Sequence, residues 1–245
     1  EVYPLMVRLR LKYLIDRGCR SAEAVFCYSD FLKEKGMERY GLPSDRVFIT
    51  RPGLGEDIKR VEDKEVLRST LSGLNIDGPY ILFIGSLTKR KNVPRLIQAY
   101  HQLVQEENIE QKLVLVGETL FLADDIFSTI TSLGLQDRVV LTGRLDHSAL
   151  PALYTGADAL IFPTLSEGFG LPPLEAQACG TPVAASRVSS VPEVVGEAAA
   201  MFDPYDLDDM CNAIKTCIQK GDHRDSLIAG GLVNAERYGW RNMAQ

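Results

Sequence analysis

Two glutamates eight positions apart, Glu167 and Glu175, lie in the stretch with the most chemistry-bearing residues, Ala157–Gly180. An ionised carboxylate accepts paired hydrogen bonds from vicinal hydroxyls, such as those of a ribose or a hexose. Either glutamate taken alone also fits a solvated residue at the start of a helix, stabilised by the helix dipole. Their occurrence together around a glycine loop favours a site for a hydroxyl-rich ligand.

The residues between the two carboxylates form a Gly-Phe-Gly loop that leads into a predicted helix. Pro172 suits the first helical turn and Gly180 the position after the last one. The start of such a helix presents backbone N–H groups and a partial positive charge, and Gly168 and Gly170 allow a ligand to approach the backbone. The loop therefore predicts an anion site that suits a phosphate.

Three consecutive cations, Lys89, Arg90 and Lys91, follow the apolar run Tyr80–Ile84. Cations at the carboxyl end of a strand can neutralise a diphosphate. A solvated basic turn is the alternative interpretation, and the loop is not a P-loop because no Gly-Lys-Ser/Thr follows Gly85. A third polar loop, Thr142–Asp146, follows another apolar run, and Asp146 suits a helix N-cap there.

These loops are positioned by eight short apolar runs without strict alternation, as expected of strands buried on both faces of a parallel sheet. The runs are Ala24–Tyr28, Val47–Thr50, Tyr80–Ile84, Leu113–Val116, Val139–Leu141, Ala159–Phe162, Val183–Ala185 and Ala199–Phe202. Helical spacing occurs in Leu5–Arg20, Phe31–Tyr40, Pro94–Gln105, Ser148–Tyr154 and Leu207–Ile218. The alternation predicts an α/β protein with a doubly wound, Rossmann-like parallel sheet, whose ligands bind beyond the carboxyl ends of the strands.

A break in regular structure near Thr50–Lys59 divides the chain. We predict a partial second domain over residues 1–57 and a complete Rossmann-like domain over residues 58–245, because only the downstream part has about six strands with helices. The first residue is Glu1 rather than Met, which fits a piece of a longer chain.

Composition excludes several functional classes. The 245 residues carry 27 basic and 33 acidic side chains, and the net charge of −6 argues against a nucleic-acid partner. No run of about 18 apolar residues is present to cross a membrane. The five cysteines are scattered and include no C-x-x-C pair, which predicts reduced thiols and a cytoplasmic location. The three histidines are far apart in the sequence, which predicts no metal site.

The predicted helix Leu5–Arg20 carries five cations among leucines, which is compatible with peripheral contact to an anionic membrane surface. We favour the alternative, a helix packed on a sheet with its basic side in solvent, because sheet-covering helices are amphipathic by construction.

The sequence Glu-Gly-Phe-Gly-Leu-Pro-Pro-Leu-Glu from Glu167 to Glu175 resembles the Glu-x7-Glu signature of GT-B glycosyltransferases, specifically the retaining family 4 (glycosyl transferases group 1). The resemblance continues through Ala176–Pro182 and Ser190–Gly196. It covers residues 80–205 closely and residues 20–79 more loosely. It implies a fold of two Rossmann-like domains, with this chain containing the C-terminal nucleotide-sugar-binding domain and the tail of the N-terminal acceptor domain.

The resemblance also implies residue roles. Glu167 falls where the family contacts the donor sugar, and Glu175 falls where it binds the ribose hydroxyls of the nucleotide. The backbone segment implied to contact sugar hydroxyls and diphosphate comprises Gly168, Phe169, Gly170 and Leu171.

The cation loop resembles the diphosphate clamp of the family, in which Lys91 aligns with the clamp lysine and Arg90 supplies a guanidinium. Many members have an arginine directly after Gly85, whereas this chain has Ser86. A subgroup that includes several mannosyltransferases carries a small hydroxyl residue there and Arg-Lys-Asn later. In the third loop, Arg144 and Leu145 fall where the family meets the nucleobase, and His147 is expected to be exposed.

The implied activity is transfer of a hexose from GDP-mannose or a UDP-hexose to a glycan or lipid-linked acceptor, with retention of anomeric configuration and without a cofactor or metal. Glu167, Lys91 and Arg90 are the implied catalytic residues. A glycoside hydrolase, a non-catalytic nucleotide-sugar-binding module and a GT-B epimerase are the alternatives. Without the remainder of the N-terminal domain, we expect this chain to bind donor but not to transfer sugar.

Overall fold

The computed structural model describes residues 5–118 and 123–240. The chain divides into two compact units between Pro52 and Gly53. The sequence placed the boundary after residue 57, so the structure assigns residues 53–57 to the second unit. Leu54 accounts for this difference, because its N–H donates to the carbonyl of Tyr238, 2.8 Å away, near the end of the second unit.

The first unit is small. Its elements are α1 (Leu5–Ser21), β1 (Val25–Cys27), α2 (Asp30–Tyr40) and β2 (Val47–Ile49). The two strands are parallel, with Val25 opposite Val47. Helix α2 begins at Ser29, whose Oγ accepts a hydrogen bond from the N–H of Leu32, and ends at Gly41 in the left-handed conformation.

The predicted packing of α1 on a sheet is wrong for the described residues. None of its side chains is buried, and its large apolar residues are all at least 40% exposed. The reason is physical: β1 and β2 have three residues each, and so small a sheet offers little apolar surface to cover. No helix among the described residues has the length and apolar character needed to cross a membrane.

The second unit alternates helices and strands from α3 to α9, and α10 follows α9 directly. Its helices are α3 (Lys64–Gly73), α4 (Val93–Glu106), α5 (Ala123–Ser132), α6 (Leu150–Gly156), α7 (Leu171–Ala178), α8 (Val191–Val195), α9 (Leu207–Ile218) and α10 (Asp222–Glu236). Its strands are β3 (Tyr80–Ile84), β4 (Lys112–Val116), β5 (Val139–Gly143), β6 (Ala159–Phe162), β7 (Val183–Ser186) and β8 (Ala200–Phe202). Short 3-10 turns occur at Lys89–Lys91 and His147–Ala149.

The six strands form one parallel sheet in the order β5-β4-β3-β6-β7-β8. Ile81 of the central strand β3 lies opposite Leu113 of β4 and Ala159 of β6. The chain first builds the sheet outward from β3 through β4 to β5, then returns to place β6 on the other side of β3. This reversal makes the carboxyl ends of β3 and β6 the topological switch point, where ligands bind in folds of this kind.

Successive residues of the central strands enter two separate apolar cores. Ile81 and Phe83 pack with α4, α5 and α9 on one face of the sheet, whereas Tyr80 and Leu82 pack with α6, α7 and α8 on the other. Strands covered on both faces explain the continuous apolar runs in the sequence. The predicted doubly wound α/β fold class is confirmed.

Most predicted elements are found, with shifted ends. The bounds of β3, β6 and α9 coincide with the predicted ones, while the segment predicted as helix Ser148–Tyr154 begins as a 3-10 turn and continues as α6. The sequence analysis did not single out α3, α5, α8 or α10. The family resemblance also implies that Tyr238–Asn242 begins a terminal helix, and residues 241 and 242 of that segment lie outside the described residues.

Candidate functional site

The loops that follow β3 and β6 are joined by hydrogen bonds at the switch point. The backbone N–H of Leu165 donates to the carbonyl of Arg90 at 2.8 Å. The hydroxyl of Thr164 reaches the same carbonyl oxygen at 3.2 Å. The two loops that the sequence analysis treated separately therefore form one structural unit.

Lys91 and Glu167 meet between these two loops. The Nζ of Lys91 lies 2.5 Å from Oε1 of Glu167, and the lysine side chain is only 8% exposed. The same Nζ lies 4.6 Å from the centroid of the Phe162 ring, close enough for a cation–π contact. Burial lowers the pKa of Lys91, and the carboxylate of Glu167 opposes this decrease.

Arg90 binds the same carboxylate from the solvent side. Its Nη1 lies 2.5 Å from Oε1 of Glu167 and 2.5 Å from the carbonyl oxygen of Ser166. The arginine side chain is 48% exposed. The structure thus brings together the three residues predicted as catalytic. Two cations against one carboxylate leave a net positive charge, which suits an anionic ligand.

A pair of serines before α8 holds the Glu167 loop. The backbone N–H of Glu167 donates to Ser189 Oγ at 2.8 Å. The buried Ser190 Oγ lies 3.0 Å from the carbonyl oxygens of both Glu167 and Phe169. The sequence analysis assigned no role to these serines. Their signal was the stretch Ser190–Gly196, through which the family resemblance continues.

The glycine loop places backbone at the start of α7, but with fewer donors than the sequence suggested. Gly170 has a φ of 107°, which favours glycine, and Leu171 begins the helix. Residues 172 and 173 are both prolines and have no N–H. Of the first three helical residues, only Leu171 has a backbone N–H, so the start of α7 offers fewer donors than expected. Phe169 is buried against the edge of Tyr238.

The loop after β3 is closely packed against its own lysine. Gly85 has a φ of 152°, and a Cβ atom there would lie 3.3 Å from Cε of Lys91. Gly117 is closer still, since a Cβ atom on it would lie 2.0 Å from the carbonyl oxygen of Gly85. Ser86 is half-buried, and its carbonyl accepts from the N–H of Thr88 at 2.8 Å.

Glu175 lies on α7 and is held by a tyrosine from α6. The hydroxyl of Tyr154 donates to Oε2 of Glu175 at 2.5 Å. Burial raises the pKa of Glu175, while the hydrogen bond from Tyr154 and the charge of His147 lower it. Asp57 raises it further. Among the described residues, no contact is recorded between Glu175 and the cluster around Glu167.

The third polar loop, Thr142–Asp146, lies near Glu175. Arg144 is exposed, and Leu145 packs partly into the core. The Nε2 of His147 lies 3.1 Å from Oδ2 of Asp57, with both side chains well exposed. Since both charges act on Glu175, this loop faces the same region. Asp146 precedes the 3-10 turn but makes no side-chain cap, contrary to the sequence-based expectation.

Among residues 5–118 and 123–240, no three His, Cys, Asp or Glu side chains group closely enough to hold a metal ion. Burial raises the pKa of the Cys179 thiol to about 12, which disfavours its thiolate form. Metal-independent chemistry stays a prediction.

The chain is an α/β protein with a cluster of charged side chains at the switch point of its parallel sheet. Residues 71–232 match the family described as glycosyl transferases group 1. The match covers more than half of the chain, and the chain therefore belongs to this family, whose members share the GT-B glycosyltransferase fold.

Relatives and solved structures agree with this membership. The chain is 32% identical over 237 residues to O-antigen chain mannosyltransferase B of Escherichia coli, covering 95% of this chain and 62% of the relative. It is 31% identical over 218 residues to D-inositol 3-phosphate glycosyltransferase of Acidothermus cellulolyticus, covering 85% of this chain and 48% of the relative. The chain thus spans less than two thirds of the length of these relatives.

The fold is similar to that of the crystal structure of Anabaena Alr3699/HepE in complex with UDP and glucose. The TM-score is 0.84 at 20% identity, with 96% of this chain and 65% of that chain covered. Sucrose-phosphate synthase of Thermosynechococcus elongatus gives a TM-score of 0.79 at 25% identity, with 98% and 59% covered. These findings confirm the predicted membership of the glycosyl transferases group 1 with their GT-B fold.

Proposed function

We propose that this chain is the donor-binding part of a retaining family 4 glycosyltransferase that takes a hexose from a nucleotide diphosphate sugar. The observation that carries the proposal is the cluster of Lys91, Arg90 and Glu167 at the switch point between β3 and β6. Two cations on one carboxylate give a positive site at the position where this kind of fold binds nucleotides.

In this proposal Lys91 and Arg90 bind the diphosphate of the donor. When the bond between sugar and diphosphate breaks, negative charge grows on the leaving group, and preorganised cations lower the energy of that transition state. Glu167 then exchanges its two cations for contact with sugar hydroxyls. Removal of one such cation costs on the order of 10²–10³ in rate.

Glu175 binds the ribose hydroxyls in the same scheme, and Arg144 and Leu145 line the nucleobase pocket. Support comes from the charges of His147 and Asp57, beside the predicted base loop, which act on Glu175. Gly168, Phe169, Gly170 and Leu171 would contact sugar and diphosphate with their backbone.

We propose GDP-mannose as the donor, with a UDP-hexose as the alternative. Support for mannose comes from Ser86 with Arg90-Lys91-Asn92, the pattern that resembles several mannosyltransferases, and from the mannosyltransferase of E. coli. Support for a UDP-hexose comes from the similar fold crystallised with UDP and glucose.

The acceptor is proposed to be a glycan or a lipid-linked saccharide. It would be bound by a further N-terminal domain, of which residues 1–52 would be the last part. The relatives are longer than this chain, which supports the proposal. Transfer without a metal and a cytoplasmic location remain predictions.

A non-catalytic nucleotide-sugar-binding module or an epimerase would use the same site. A hydrolase would use the two carboxylates but would leave the cations on Glu167 without a role. Product analysis with donor alone separates an epimerase, which isomerises the donor, from a transferase, which needs an acceptor.

The proposal is tested by thermal unfolding with GDP-, UDP- and ADP-sugars in turn. A donor at 100 times its Kd stabilises the native state by about 2.7 kcal/mol. One nucleotide sugar should raise the Tm clearly, and the same ligand at the same concentration should raise the Tm of Lys91→Met much less. No shift with any nucleotide sugar would refute the proposal.

A further inference from the structure

Tyr154 has an unusual position for a polar side chain. Its side chain is fully buried in the core beneath α6 and α7. Its only described side-chain hydrogen bond goes to Oε2 of Glu175, at 2.5 Å. Its own backbone is also fixed, because its carbonyl accepts a hydrogen bond from the hydroxyl of Thr181, at 2.5 Å. The phenol is therefore held rigidly with its single donor aimed at one carboxylate oxygen.

A buried carboxylate needs such a donor. Glu175 is removed from much of the solvent, and burial disfavours its charged form. The groups that act on it are the hydroxyl of Tyr154, the imidazole of His147 and the carboxylate of Asp57. Of these, only Tyr154 makes a described hydrogen bond to it.

We propose that Tyr154 is a positioning residue that fixes Glu175 for recognition of the two ribose hydroxyls of the nucleotide. This inference rests on the proposed function, because it assumes that Glu175 binds ribose. The phenol occupies Oε2 and thereby sets the side-chain torsions that aim the remaining lone pairs at the ligand. It also keeps the carboxylate ionised, so that both oxygens accept hydrogen bonds.

The chain provides a matched control in Tyr80. This tyrosine is buried to the same degree and donates its hydroxyl to the carbonyl of Leu153, at 2.7 Å. Leu153 directly precedes Tyr154. Tyr80→Phe therefore removes one buried hydrogen bond from the same part of the core without changing the partner of Glu175.

The experiment compares the wild type, Tyr154→Phe and Tyr80→Phe by calorimetric titration with GDP and UDP and with their 2′,3′-dideoxy analogues. The wild type should bind the tighter ribonucleotide at least about tenfold better than its dideoxy analogue, because the analogue leaves Glu175 unpaired. Tyr154→Phe should lose most of this discrimination while binding the dideoxy analogue as the wild type does. Tyr80→Phe should keep it.

A second readout is the pH profile of ribonucleotide binding. Loss of the phenol leaves Glu175 easier to protonate, so binding by Tyr154→Phe should weaken at a higher pH than binding by the wild type as the solution is acidified. A loss of packing alone would weaken the binding of the ribonucleotide and of the dideoxy analogue equally, and it would leave the pH profile of binding unchanged.

The outcomes separate the two claims. Wild-type protein that binds nucleotide without regard to the ribose hydroxyls overturns the role of Glu175, and this inference with it. Wild-type discrimination that survives in Tyr154→Phe overturns the inference alone. If Tyr154→Phe does not fold, Tyr154→Met replaces it, since methionine also removes the phenol donor and its flexible side chain can fill the core. Retained discrimination in Tyr154→Met then overturns the inference alone.

Discussion

The Nζ of Lys91 lies 2.5 Å from Oε1 of Glu167, although the two residues are 76 positions apart in the chain. Each belongs to the loop after a central strand, and the sheet order makes those two strands neighbours. The cation and the carboxylate neutralise each other in a nearly dry position. In the proposed function, a diphosphate would compete with Glu167 for the same cations.

This arrangement costs stability. Two buried charges lose hydration that their attraction only partly returns, and replacing such pairs with neutral residues is often neutral or stabilising by about 1–4 kcal/mol. We therefore predict that the double variant Lys91→Met/Glu167→Gln unfolds at the same or a higher urea concentration than the wild type. The single change Glu167→Gln should be destabilising, since it leaves Lys91 buried without its counter-ion. A double variant less stable than that single variant would contradict this account.

Because Glu175 is half-buried, we predict that Glu175→Gln increases the free energy of unfolding by an amount that depends on pH. Because the folded-state pKa is raised above 4.5, the stability that Glu175 contributes is complete below the unfolded pKa and is lost as the pH rises through the folded pKa. The glutamine keeps an acceptor for Tyr154 but never ionises. Its advantage in urea unfolding should therefore grow between about pH 4 and pH 7.

The exposed Glu197 provides the control, because Glu197→Gln removes a carboxylate of the same size from solvent. The difference in stability between Glu197→Gln and the wild type should not grow comparably as the pH rises. An advantage of Glu175→Gln that shrinks as the pH rises would show that the sign of the shift is wrong.

Gly117 is predicted to be essential for the shape of the cation loop. An alanine Cβ there would lie 2.0 Å from the backbone oxygen of Gly85, so the loop that carries Lys91 has to move. We expect Gly117→Ala to cost about 3 kcal/mol or more in urea unfolding, or to displace the loop and weaken nucleotide binding.

Gly134 offers a matched comparison. It also has a positive φ, of 66°, but no atom lies within 4 Å of the Cβ position. Gly134→Ala should therefore cost only the backbone strain, about 1–2 kcal/mol, and leave binding intact. Equal effects of the two changes would mean that the contact with Gly85 is unimportant.

The sequence allowed the fold class to be predicted because buried parallel strands leave continuous apolar runs, as in β3 and β6. It also allowed Lys91, Arg90 and Glu167 to be grouped, but only through the family resemblance. Spacing alone gives no distance between residues in separate loops. Their contact depends on the reversal of strand order at β3, which is a property of the sheet and not of either loop.

Other features were inaccessible to local reasoning. Tyr154 looked like an ordinary apolar helix position, because its partner Glu175 comes 21 residues later. Ser190 appeared in the sequence only as the first residue of a stretch of family resemblance, although its hydroxyl contacts the Glu167 loop. The small number of backbone N–H donors at the start of α7 does follow from the sequence, because Pro172 and Pro173 have no N–H.

The most direct test of the proposed site is calorimetric titration of the best nucleotide sugar into wild type, Lys91→Met and Lys89→Met. Lys89 is an exposed cation of the same loop and controls for the loss of one positive charge. Lys91 should contribute a charge-assisted bond to the diphosphate, so Lys91→Met should weaken binding by about 10- to 100-fold, while Lys89→Met stays within about threefold of the wild type. Equal affinities for Lys91→Met and Lys89→Met would contradict the assignment of Lys91 to the diphosphate.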